Sequence, residues 1–165
     1  ILAWKVTPTF DAGATAEILL TAAKGVDHGT PAVLVDGGVE NFNGPVDELI
    51  NSGLLRRVLA GTEITYSNSM IESWWRVLKH QWLYLNTLDT VRAVENLVAF
   101  YVQEHNVRLP HSAFRGQTPD EMYFQSGDGI PEELEAARQK AQQERAVANR
   151  KQDCEACQRL PTSLN

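Results

Sequence analysis

Hydrophobic and polar positions follow two regimes along the chain. Up to about residue 60, short unbroken apolar runs alternate with stretches of helical spacing. The opening ILAWKV, residues 1–6, reads as a strand closed by Pro8, and GATAEILLTAAKG spaces Ala16, Ile18, Leu19 and Ala22 as a helix. Either Asp11 or Thr15 can cap that helix, and Gly25 supplies its stop. PAVLVD, residues 31–36, is a second strand whose continuous hydrophobicity implies burial on both faces, as in the centre of an α/β sheet. A short helix follows in PVDELINSG, with Pro45 early and Gly53 at the end, and LLRRVLAG offers a third strand interrupted by Arg56 and Arg57. Strand, helix, strand, helix, strand requires crossover connections and an at least partly parallel sheet.

From residue 68 the spacing becomes helical. NSMIESWWRVLKHQWLYL places Ile71, Trp74, Trp75, Leu78, Trp82 and Leu85 on one face, so the tryptophans are expected to pack inward rather than to stack bases. LDTVRAVENLVAFYVQEHN is a second amphipathic helix, started by Asp89 or Thr87, with Val91, Val94, Leu97, Val98 and Tyr101 inward. In TPDEMYF, Thr118 is an N-cap and Pro119 the first helical residue. The last run, residues 131–151, is a strong helix former with few large apolar residues, which fits a solvated or partner-packed extension.

A chain of 165 residues with 43% hydrophobic and 22% charged side chains is the size of one ordinary domain. No apolar run reaches the roughly 20 residues of a membrane span, and no secretory signal precedes the first strand, so no membrane partner and a cytoplasmic location are expected. Cys154 and Cys157 form a CxxC in a polar tail; without a second Cys or His pair downstream they do not complete a zinc site in one chain. A net charge of −6 argues against coating nucleic acid by charge alone. The charge is uneven, however: residues 54–115 hold 7 basic and 5 acidic side chains, with His80, His105 and His111, whereas both flanking segments are acidic.

On the helix of residues 68–85, Glu72, Arg76 and Lys79 occupy one stripe opposite the tryptophans, with Asn68 close to it. Taken alone, the stripe is a surface Glu–Arg pair of the kind that adds a few tenths of a kcal/mol to a helix. Its setting adds a second reading. Asp36, at the end of a presumed central strand, lies 35 intervening residues before Glu72. Two carboxylates at a sheet rim can hold Mg²⁺ with phosphate and water completing the shell, and paired ions of that type clamp an in-line phosphoryl displacement.

VDGGVEN followed by YSNSMIESWWRVLK resembles the second and third acidic motifs of the transposase and retroviral integrase catalytic core, a ribonuclease-H-like fold with an Asp, Asp, 35-residue gap, Glu signature. FYVQEHNVRLPHSAFRGQTPDEMYF is similar to the C-terminal signature of bacterial insertion-sequence transposases, with its Asn, Pro-His and Gly-x-Thr-Pro elements. The resemblance spans roughly residues 1–126 and leaves residues 127–165 as a polar helical extension. It implies DNA transposition or integration through metal-dependent phosphodiester hydrolysis and strand transfer. By it, Asp36 and Glu72 are metal-binding catalytic acids for Mg²⁺ or Mn²⁺, and Lys79 corresponds to the lysine that follows the family's glutamate and contacts DNA. From its place on the same stripe, Arg76 is expected to face the phosphates too, with Asn68 as a further DNA-binding candidate. Asn106 and His111 match positions that either bind DNA or hold the loop to the sheet.

That family carries its first aspartate on a strand two strands upstream of the segment matched by Ala3 and Trp4. The resemblance therefore implies an α/β, ribonuclease-H-like core of about three strands, lacking its first two strands and one carboxylate. Weak metal binding and little strand transfer by this polypeptide are expected. An open sheet edge or the C-terminal helix is expected to pair two copies. The alternative from another class is a non-catalytic dimeric remnant that serves as a DNA-binding or protein-interaction module.

Overall fold

The computed structural model describes residues 1–26, 29–61 and 69–152. Asn68, Cys154 and Cys157 lie outside them. The described elements are helix α1 (Ala12–Ala23), strand β1 (Ala32–Val35), α2 (Gly44–Asn51), β2 (Arg56–Leu59), α3 (Ser69–Gln81), α4 (Val91–Val107), α5 (Pro119–Tyr123) and α6 (Ile130–Gln152). Residues to Glu104 cluster as one compact unit and those from His105 onward as a second. The protein is mixed α/β and mostly helical.

In the first unit, β1, α2 and β2 form a parallel βαβ arrangement in which Ala32 pairs with Arg56 and Val35 with Leu59. Local chemistry explains each boundary. Asp11 caps α1 by accepting from the Gly13 amide at 2.9 Å, which decides between Asp11 and Thr15. Asn43 caps α2 by accepting from the Val46 amide at 3.1 Å, with Pro45 in the first turn, where a missing N–H costs nothing. At α4 the cap is Thr90, whose hydroxyl accepts from the Ala93 amide at 3.1 Å, rather than Asp89 or Thr87.

Two strand expectations are corrected. Residues 1–6 form no strand, and among the described residues the sheet has two strands, not three. A strand needs a partner for its backbone, and an apolar run without one finds side-chain partners instead: Ile1 and Val6 pack on the helical core, and Lys5 donates to the Glu17 carboxylate of α1. Nor is β1 covered on both faces. Val35 is buried, but Leu34 is 40% exposed, so one face of the sheet is open.

The main core lies between α3 and α4. Leu78, Leu83, Val98 and Val102 are buried, with Trp74, Trp82, Val94, Leu97 and Tyr101 packed around them. Trp82 donates its indole N–H to the Leu97 carbonyl at 2.9 Å and stacks on Phe100, which ties the turn after α3 to α4. The helix expected to run to residue 85 stops at Gln81, and a 3₁₀ turn over Leu83–Leu85 follows.

In the second unit, Thr118 and Glu121 form a reciprocal capping box at α5. The Thr118 amide donates to the Glu121 carboxylate at 2.7 Å, and the Glu121 amide to the Thr118 hydroxyl at 3.3 Å. Gly127 is buried just beyond α5, and a Cβ there would sit 2.8 Å from both Gln117 Oε1 and Glu121 Cβ, so the close approach requires glycine. The helix α6 is largely exposed, as its polar sequence implies. No helix among the described residues is long and apolar enough to cross a membrane.

Candidate nucleic-acid interface

Asp36 directly follows β1, at the carboxyl end of a parallel strand, where open α/β sheets place their ligands. Its Oδ1 accepts from the Gly38 amide at 3.0 Å and from Asn41 Nδ2 at 2.9 Å. The side chain therefore closes a turn and is held in place by it. The turn is anchored in its own right: Arg57, reaching from β2, donates to the Asn41 carbonyl at 2.8 Å and to Asp47 Oδ1 at 2.6 Å. Its guanidinium also lies 4.2 Å from the Phe42 ring centroid. Arg57 is thus the hub that seats the Asp36 turn on the βαβ unit. Arg57→Met is expected to lower stability by about 1–3 kcal/mol, because charge-assisted hydrogen bonds from a mostly buried guanidinium are lost. Arg56→Met, at an exposed position, should change little; equal urea midpoints for the two variants would contradict the assignment.

Glu72 stands in the first turn of α3, and Lys79 and His80 in its last, an order that complements the helix dipole. With Trp75 and Arg76 they line one surface groove of about 440 Å³. The stripe expected from sequence is therefore assembled, but the surface Glu–Arg pair is not. Among the described residues, Glu72, Arg76 and Lys79 form no ion pair. Both cations consequently keep their charge available to an anion from outside. The inward packing expected of Trp75 is overturned: its side chain is 44% exposed, and Lys79 Nζ lies 5.7 Å from its ring centroid. It sits at the edge of the apolar arc, three residues after Glu72 and four before Lys79, and that spacing was the available signal for placing it in the groove.

The groove brings Glu72, Arg76 and Lys79 together; Asp36 belongs to the β1 turn and is not among its lining residues. Oxygen donors of this kind suit a hard divalent ion, but no group of three or more His, Cys, Asp or Glu among the described residues is placed to hold a metal. Asn106 and His111 lie in the second unit. Asn106 is half-buried in the last turn of α4, and His111 caps a 3₁₀ turn, its Nδ1 accepting from the Ala113 amide at 3.2 Å. The His111 amide also donates to the Gln117 carbonyl at 2.8 Å, so this residue organises the loop that leads into α5.

His105, whose ring centroid is 6.5 Å from that of His111, has its pKa lowered, first by burial and further by the charge of His111. The folded state favours neutral His105, whereas the unfolded chain takes up its proton near the ordinary value of 6.5. Stability from this residue is thus complete above that value and falls as the pH drops through it, until folded His105 itself titrates. Urea midpoints at about pH 8 and about pH 5.5 should differ less in His105→Gln than in the wild type.

Comparison with protein-family models yields no match, and comparison with curated proteins yields none.

Proposed function

We propose that the chain is part of a ribonuclease-H-like polynucleotidyl-transferase core of the transposase and integrase kind, and that the α3 groove is its DNA-facing surface. The observation that carries this reading is the pair of cations on α3, Arg76 and Lys79, which form no ion pair among the described residues and share a groove with Glu72. The sequence motifs around Asp36 and Glu72 support it, as does the parallel βαβ unit that sets Asp36 at a strand end. Asp36 and Glu72 would hold Mg²⁺ or Mn²⁺, which when bound supplies Lewis-acid stabilisation of charge on the phosphate oxygens. Arg76 and Lys79 bind and orient the phosphodiester backbone.

A second reading, DNA binding without chemistry, rests on the Asp36 carboxylate, one oxygen of which already accepts two hydrogen bonds in its turn. Mg²⁺ titration calorimetry separates the two. Weak binding that is lost in both Asp36→Asn and Glu72→Gln supports the metal site. Binding that is absent in the wild type, or unchanged in both variants, leaves the non-catalytic reading. Duplex DNA binding that does not weaken with added salt would remove both.

Pairing of two copies belongs to the same proposal, because β1 and β2 each keep one open edge among the described residues. Sedimentation equilibrium should show a concentration-dependent dimer; a monomer throughout the range would discard it.

A further inference from the structure

We propose that the α3 groove takes a strand with an unpaired base, stacked on Trp75 while Arg76 and Lys79 hold the adjoining phosphates. The inference rests on the DNA reading above and goes beyond it in naming the form of DNA and the residue that senses it.

An indole that serves only as packing buries its faces. Trp75 does not: 44% of it is exposed, and it stands at the border of α3 where it lines both the groove that carries the cations and the apolar cavity beside Leu78 and Val98. It is nonetheless held in orientation. Trp74, half-buried behind it, meets its ring edge-on, with centroids 4.8 Å apart and planes at 68°. The ring is thus a fixed, solvent-facing platform. Lys79 is its present neighbour, with Nζ 5.7 Å from the ring centroid. An exposed cation–π contact of that length is worth about 0.5–1 kcal/mol, less than the 1–3 kcal/mol that base–aromatic stacking contributes, so a base displaces the ammonium. The displaced Lys79 stays within a side-chain length of the phosphate that follows the base. Arg76, one residue on from Trp75, offers a planar fork suited to a second phosphate.

The occupant follows from charge complementarity. An apolar peptide would leave two cations desolvated without partners, and an acidic peptide would leave the indole unused. A nucleic-acid strand alternates the two chemistries the groove offers, anion and π-face. Duplex DNA presents only the anion, because its bases are stacked on one another. A strand with unpaired bases presents both.

The test is fluorescence anisotropy with labelled oligothymidine and with a blunt duplex of the same length, on the wild type, Trp75→Ala and Trp75→Phe. Trp75→Ala should weaken oligothymidine binding roughly 5- to 150-fold and duplex binding by less than about twofold. Trp75→Phe keeps a π-face and should retain most of the affinity. Quenching of tryptophan emission by oligothymidine should be smaller in Trp75→Phe than in the wild type, a readout that a packing role would not move. If the wild type binds duplex but Trp75→Ala weakens neither probe, or both equally, stacking is refuted and the DNA reading stands. If the wild type binds neither probe, both fall. Matching circular dichroism spectra and denaturation midpoints across the three proteins assign any loss to the surface rather than to folding.

Discussion

Replacing Leu78 by alanine is expected to destabilise the protein by about 2–5 kcal/mol, the largest effect of any single substitution proposed for it. Leu78 is the most completely buried large side chain described, with no exposed surface. It lies at the centre of the α3–α4 core, among Leu83, Val98 and Val102 and beneath Trp74 and Trp82. Removing its isopropyl group forfeits the transfer free energy of three carbons and leaves a cavity. The indole rings above are too large and too constrained to fill it, because Trp82 is fixed by its hydrogen bond to the Leu97 carbonyl. A domain of this size has about 5–15 kcal/mol in total, so the variant should be marginal at physiological temperature. Ile71→Ala on the same helix is the control. Ile71 is 53% exposed, and its loss should cost well under 1 kcal/mol. Urea denaturation of both variants reads the difference; comparable midpoints would mean that α3 is not seated through Leu78.

The consequence reaches beyond stability. The same helix that buries Leu78 presents Glu72, Arg76 and Lys79 on its exposed side, with Trp75 at the border between the two, so the depth of the Leu78 seat fixes the height and rotation of the groove. Sequence spacing alone located this division of labour in outline. Three- and four-residue steps separate an apolar arc from the charged stripe, and the stripe is where it was expected. What spacing could not decide was the border of that arc, where Ile71, Trp75 and Leu85, all expected inward, are exposed. Trp75 is apolar and at core spacing, but the core that α3 shares with α4 and the N-terminal segment covers only part of the helix, and the indole at the rim of the arc is left 44% exposed.

The same limit explains the N-terminal segment. ILAWKV has the composition of a strand, and composition reports how well side chains suit a pleated, half-buried surface, not whether a neighbouring backbone is present. Helix boundaries were more legible because caps are local. Asn43 with Pro45, and Thr118 with Pro119 and Glu121, act within four residues of each other. Asp36 falls between these cases. Its turn could be read from the two glycines that follow, but the anchor that holds the turn, Arg57, comes from the next strand, 21 positions away, and only tertiary structure pairs them.

Removing both α3 cations should then separate binding from folding. Arg76→Ala with Lys79→Ala is expected to lower affinity for duplex DNA by roughly ten- to a hundredfold at low salt. The slope of log K against log salt should fall in magnitude by about 1.8, the loss of two phosphate contacts at about 0.9 each. Neither residue is engaged in an ion pair among the described residues, and both are exposed, so thermal and urea midpoints should stay close to the wild type. Each single substitution should remove about half of the slope change. Glu72→Gln should act in the opposite direction in the absence of divalent ions, strengthening duplex binding by removing a like charge from beside the phosphates. In the presence of Mg²⁺ that gain should shrink, because a metal held at the carboxylate cancels the same repulsion in the wild type. A double variant with an unchanged salt slope would place the DNA contacts elsewhere, and a Glu72→Gln gain independent of Mg²⁺ would mean that the carboxylate faces the strand without a metal between them.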